Sequence, residues 1–227
     1  MKIVLTNDDG IEAPGLETLD AIIRPLAETI IVAPAEPQSG VGHRVTVHTA
    51  LRVDRTGGRR FRVDGTPVDC VRLALKEIVP DADWVIAGIN PGANLGSDLY
   101  QSGTVAAARE SAILGCRAVA VSQYIAKNRL IDWDTTAIHA AGILELLLKK
   151  DLALGHYWNV NLPHPLTPNA ALEHQFCDPD PNPHKYRFRR NGSEYAYEGT
   201  IHERPRNPGM DVAVCFGGKI AVTKLEI

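Results

Sequence analysis

The stretch MKIVLTNDDGIEAPG, Met1 to Gly15, sets a short apolar run against a pair of carboxylates. Ile3, Val4 and Leu5 suit a buried parallel strand, and Gly10 with Pro14-Gly15 marks a turn before the next periodic segment. Asp8 and Asp9 therefore stand side by side at the carboxyl end of a strand. Alone, such a pair reads first as a solvated turn, one Asp closing an Asx turn and the other capping a helix. The rest of the chain has to decide between turn and site.

Outward from this stretch, strands and helices alternate. Leu16, Leu19, Ile22, Ile23 and Leu26 recur at helical spacing, and TIIVAP (Thr29 to Pro34) reads as the second strand. Helices are expected over Val68 to Val79, Thr104 to Leu114 and within Thr135 to Lys150. Strands are expected over Trp84 to Asn90, Ala118 to Ser122 and Tyr157 to Pro163. This order predicts an α/β fold in three layers, a Rossmann-like, mostly parallel sheet with helices on both faces. The β-branched residues from His43 to Val63 predict an inserted β-hairpin, with His43 and His48 on opposite faces of a strand and RTGGRRFR (Arg55 to Arg62) at a hairpin tip. MDVAVCFGGKIAVTKLEI (Met210 to Ile227) reads as two strands about Gly217-Gly218, an antiparallel C-terminal extension. One domain is expected over 1–227, with a core at 1–163 and an extension at 164–227.

Charge and composition narrow the function classes. A net charge of -3 over 227 residues gives no electrostatic footprint for a nucleic-acid polymer or an anionic membrane, and the one basic cluster before the tail, Arg55 to Arg62, reads as a solvated hairpin tip. No apolar stretch reaches the roughly 18 residues of a membrane span, and MKIVLTNDDG turns polar too early for a signal peptide. Cys70, Cys116, Cys177 and Cys215 form no C-x-x-C pair, which argues against zinc or a redox dithiol and for a reduced, cytoplasmic protein.

In an open α/β sheet, ligands bind beyond the carboxyl ends of the strands. Asp8 and Asp9 follow the first strand, Ser39 follows the second, and GINPGANLGSD, with Asn90 and Asn94, follows the strand at Trp84. If these strands are neighbours the three loops meet on one edge, which favours a site over a turn. Two carboxylates, a hydroxyl and an amide carbonyl are hard oxygen donors that suit Mg²⁺, Mn²⁺ or Ca²⁺, and a cation between adjacent carboxylates removes their repulsion. Singly, Ser39 suits an ordinary turn hydroxyl and Asn90 an amide satisfying local backbone. Ser102, Gly103 and Thr104 open a helix whose N-terminus suits a phosphate, although Ser102 or Thr104 serves as well as a simple N-cap. No G-x-G-x-x-G follows the first strand, no G-K-[ST] or G-x-S-x-G occurs, and NDDG lacks the D-x-D of halo-acid-type phosphatases.

The motifs NDDGIEAPG, PQSG, GTPVDCV, GINPGANLG, SGTVAAARE and NVNLP, in this order over Met1 to about Pro163, resemble the survival protein E (SurE) family of metal-dependent 5′-nucleotidases. The resemblance implies one divalent ion per subunit, Mg²⁺ or Mn²⁺, held by Asp8, Asp9, Ser39 and Asn90. It implies hydrolysis of nucleoside monophosphates, and dimers or tetramers that exchange C-terminal segments. Within that reading Asp8, Asp9 and Asn90 serve catalysis, while Asn94, Ser102, Gly103 and Thr104 hold the phosphate. Ala87 stands where the family commonly has Ser, and Gln101 where Tyr often precedes S-G-T. A broad acid phosphatase and a non-catalytic nucleotide- or metal-binding module remain as alternatives.

Overall fold

The computed structural model describes residues 1–164, 172–199 and 201–227, with no side-chain description for Ile201. The part of the expected extension at 165–171 and at residue 200 lies outside the described residues. The first strand, β1 (Lys2–Thr6), is followed by α1 (Pro14–Ile23), β2 (Glu28–Pro34), β3 (Val53–Gly57), β4 (Arg60–Val63) and α2 (Pro67–Leu73). Next come β5 (Trp84–Pro91), α3 (Gly103–Ile113), β6 (Arg117–Gln123), α4 (Trp133–Leu148) and β7 (His156–Leu162). The last third holds β8 (His174–Phe176), β9 (Phe188–Asn191), β10 (Glu194–Tyr197), α5 (Asp211–Phe216) and β11 (Ile220–Glu226).

Among the described residues nine strands form one sheet in the order β3-β4-β2-β1-β5-β6-β7-β11-β8. From β4 to β7 every neighbouring pair is parallel, β1 lying between β2 and β5 with Leu5 opposite both Ile31 and Ile86. The alternation of β1 explains its burial on both sides. Ile3 and Leu5 join Leu16, Leu19, Leu144 and Leu147 under α1 and α4, while Val4 packs with Cys70, Val105 and Ala108 under α2 and α3. The small residues Ala106, Ala107, Ala108 and Ala112 let α3 lie close on the sheet, and Ser102 starts it by accepting the Val105 N–H at 3.0 Å.

Three expectations need correction. The hairpin is confined to β3 and β4, with its tip at Gly58-Arg59. Residues 43–52 form no strand, because Thr46 donates its N–H and hydroxyl to Asp69 of α2 at 2.9 and 2.7 Å. The helix expected to Val79 is regular only to Leu73 and continues as a π turn over Ala74–Ile78. The segment before Gly217 is the helix α5. Only β11 is a strand there, and it runs antiparallel to β7 and parallel to β8.

Candidate metal and phosphate site

The carboxyl ends of β1, β2 and β5 do meet. Asn7 folds the turn after β1 by donating Nδ2 to the Gly10 carbonyl at 2.8 Å, and Gly10 takes φ +99°, a conformation that favours glycine. The Gln38 N–H donates to the Asp8 carbonyl at 2.7 Å, tying the loop that carries Ser39 to the carboxylate pair. Ser39 itself is exposed on that loop. Asn90 lies beyond a register irregularity in β5 and donates Nδ2 to the Gly92 carbonyl at 2.6 Å, which turns its carbonyl oxygen away from Gly92.

Asp8 is buried at the N-terminus of α3, where the Thr104 hydroxyl donates to its Oδ1. A Cβ on Gly103 would stand 2.9 Å from Asp8 Oδ2, so the helix reaches the carboxylate only because this residue is glycine. Burial raises the Asp8 carboxyl above its ordinary value, against the opposing hydrogen bond from Thr104. Asp9 is the more perturbed: burial and the neighbouring Asp8 charge push it up to about 7. Its Oδ2 is buried without a hydrogen-bond partner among the described residues.

These features fit a hard cation. An orphaned carboxylate oxygen beside a second carboxylate, complemented by neutral oxygens, is the environment that a divalent ion satisfies. Among the described residues no group of three or more His, Cys, Asp or Glu forms a metal cluster, so an ion here would be held by the two carboxylates and neutral donors.

The structure does not treat the four phosphate candidates alike. Gly103 and Thr104 adjoin Asp8, whereas Ser102 commits its hydroxyl to capping α3. Asn94 is built into the floor of its loop: Nδ2 donates to Ser122 Oγ at 2.8 Å, and its backbone N–H and carbonyl meet the side chains of Asn159 and Asn161. Ala87 is buried under α2 and α3 and does not line the crevice. Sequence reading missed Asn7, whose spacing to Gly10 in NDDG was the available signal. It also missed Glu110, buried in α3, which meets His43 Nε2 at 2.8 Å and the Arg72 guanidinium; no local pattern announces that cluster.

The family profile described as Survival protein SurE matches residues 3–182. The chain belongs to the SurE family. The alr3139 protein of Synechocystis sp. is 46% identical over 227 residues, covering 100% of both chains. The 5′-nucleotidase SurE of Caulobacter sp. is 38% identical over 239 residues, covering 100% of this chain and 88% of its own length. In three dimensions the SurE protein from Aquifex aeolicus superposes with a TM-score of 0.87 at 29% identity, over 100% of this chain and 93% of its own. The SurE match runs past Pro163 to residue 182, so the family resemblance includes the start of the C-terminal extension.

Proposed function

We propose that this SurE-family protein is a 5′-nucleotidase, an enzyme that cleaves nucleoside monophosphates to nucleoside and phosphate with one divalent cation, Mg²⁺ or Mn²⁺, per subunit. The observation that carries the site is the buried, unpartnered Asp9 Oδ2 beside Asp8 at the N-terminus of α3. Asp8, Asp9, Ser39 and Asn90 would hold the ion, with Asp8 oriented by Thr104. An ion held by these residues would supply Lewis-acid polarisation of the phosphoryl group and activation of the attacking water. Gly103 and Thr104 place the positive end of α3 against the developing phosphoryl charge. Ser102 supports that terminus as its cap, and Asn94 fixes the loop between Asn90 and α3.

No helix among the described residues is long and apolar enough to cross a membrane. We place the protein in the cytoplasm, in keeping with four free thiols. We place its self-association, as a homodimer or homotetramer, on the β9-β10 hairpin, which stands apart from the main sheet and exposes Phe188, Tyr195 and Tyr197.

The test is phosphate release from a panel of nucleoside monophosphates after exhaustive EDTA treatment and again with Mn²⁺ or Mg²⁺ restored. Turnover should vanish and return. Full activity in a demonstrably metal-free preparation, or no release from any nucleotide with metal present, refutes the assignment.

A further inference from the structure

A cavity of about 400 Å³ opens at the carboxyl ends of β6 and β7, lined by Tyr124, Arg129, His164, Phe216, Gly217 and Gly218 among others. It lies on the same edge of the sheet as Asp8, Asp9 and Asn90. The two are linked through the β5–β6 junction, where Asn90 and Pro91 pair with Ser122 and Gln123 and the Gly92 N–H donates to the Gln123 carbonyl at 3.0 Å. Tyr124 is the next residue. From the end of β1 to the end of β6 is two strand spacings, about 10 Å, a separation comparable with the reach of a ribose between its 5′-phosphate and its base.

The cavity's chemistry suits a flat heteroaromatic ring. Tyr124 stacks on Phe216 with ring centroids 4.4 Å apart and planes 23° apart, and its hydroxyl lies 2.9 Å from His202 Nδ1, so the ring is fixed as a platform. Arg129 offers a planar guanidinium that can stack on or donate to a base. His164 Nδ1 is buried with no hydrogen-bond partner among the described residues. Gly217 and Gly218 bring backbone to the rim without side chains. Among the described residues no carboxylate lines the cavity, which disfavours a metal or a cationic ligand.

We propose that the Tyr124–Phe216 cavity is the nucleobase subsite, and that Tyr124, Arg129 and His164 make the enzyme prefer nucleotides to phosphomonoesters without a base. This inference rests on the nucleotidase reading of the adjoining site. Burial and the nearby Arg129 charge hold His164 below its ordinary value, leaving a ring with one donor and one acceptor nitrogen to match a base edge.

The experiment compares kcat/KM for adenosine 5′-monophosphate and ribose 5-phosphate, under Mn²⁺, in the wild type, Tyr124→Leu and Arg129→Ala. Stacking of a base is worth about 1–3 kcal/mol, so Tyr124→Leu should lower the adenosine-to-ribose ratio about tenfold, mainly through KM. Arg129 is exposed, so Arg129→Ala keeps the test valid if the tyrosine variant folds poorly; it should lower the ratio less. An unchanged ratio in both variants overturns the subsite. So does a wild type that treats the two substrates alike, an outcome that leaves phosphomonoester hydrolysis intact. Equilibrium dialysis of adenosine 5′-monophosphate in EDTA separates the two ideas. If no substrate is turned over but nucleotide binding depends on Tyr124, the subsite stands and the nucleotidase reading falls; binding indifferent to Tyr124 removes the subsite.

Discussion

Thr104 Oγ1 donates a hydrogen bond to Asp8 Oδ1, joining the first turn of α3 to the end of β1 across 96 residues of sequence. The hydroxyl fixes which carboxylate oxygen faces the crevice. Thr104→Val keeps the volume of this buried side chain and removes the donor. The fold should survive, and Mn²⁺ affinity measured by calorimetry should fall about 10- to 100-fold, the range for losing a partner that orients a ligand. Thr104→Ser should retain most of the affinity. Equal affinities in the valine variant and the wild type would remove Thr104 from the site.

Gly103→Ala probes the same approach from the other side. Alanine suits a helix better than glycine by about 1 kcal/mol, so helix α3 itself should tolerate the change. The new methyl, however, would stand 2.8 Å from Asp8 Cβ, and the carboxylate must move. A melting temperature near that of the wild type together with a loss of at least tenfold in kcat/KM is the expected signature. Retained turnover would mean that the position of Asp8 is not critical.

In the metal-free protein, Asp9 should make stability depend on pH. Its carboxyl has an ordinary value of 3.8 and is pushed up to about 7 in the fold, so folding favours the protonated form. The contribution is fully present below the ordinary value and is lost as pH rises toward the folded one. Asp9→Asn removes this penalty. In EDTA, thermal melts should show the variant gaining on the wild type as pH climbs from about 4 to 7, while Mn²⁺ should stabilise the wild type more than the variant. Parallel melting curves across that window would contradict the burial of Asp9.

Glu110 ties α3 to Arg72 of α2 and to His43, and the two ends of the Arg72 pair differ in exposure. The Glu110 side chain is 2% exposed and that of Arg72 43%. Arg72→Met leaves a carboxylate buried with only the histidine, whereas Glu110→Gln leaves a guanidinium that reaches water. Urea unfolding should therefore show the arginine variant less stable than the glutamine variant by about 1–3 kcal/mol. The reverse order would contradict the burial of Glu110.

Truncation before α5 should be more damaging than the loss of a tail. Val212, Val214, Cys215, Ala221 and Leu95 form a core of their own, and β11 occupies the gap between β7 and β8. A version ending at Pro208 would leave the edge of β7 unpaired. Light scattering should find aggregates or insoluble protein; a monodisperse, folded particle would show the segment to be dispensable.

Strands β1, β2, β5 and β7 were readable because each is a short apolar run closed by Asn or Pro, β6 because the apolar run AVAV ends at the polar pair Ser122-Gln123, and the strand ends put Asp8, Asp9 and Asn90 on one edge. What escaped reading depends on distant partners. DVAVCF has residues compatible with strand or helix, and Asp211 anchors it as a helix start by accepting the N–H groups of Gly96 and Asp180 at 2.7 and 2.8 Å, 115 and 31 residues away. Thr46 and His48 look β-prone, yet the Thr46 backbone is held by Asp69 and joins no ladder. Gly103 and Thr104 were expected beside a phosphate together with Asn94 and Ser102, but no local pattern distinguished the pair beside Asp8 from the two engaged in supporting the loop and helix.

The position of β11 bears on how the protein is made. Strand β11 lies between β7 and β8, which precede it in the chain, and pairs with both. On the ribosome, β7 must wait with one ladder edge open until more than fifty further residues have been added. The parallel half of the sheet that bears Asp8, Asp9 and Asn90 can assemble earlier, so a nascent chain stalled after β7 would carry a nearly formed site on a sheet with a sticky flank. Such a chain would expose the open edge of β7 to pairing with other chains until β11 fills it.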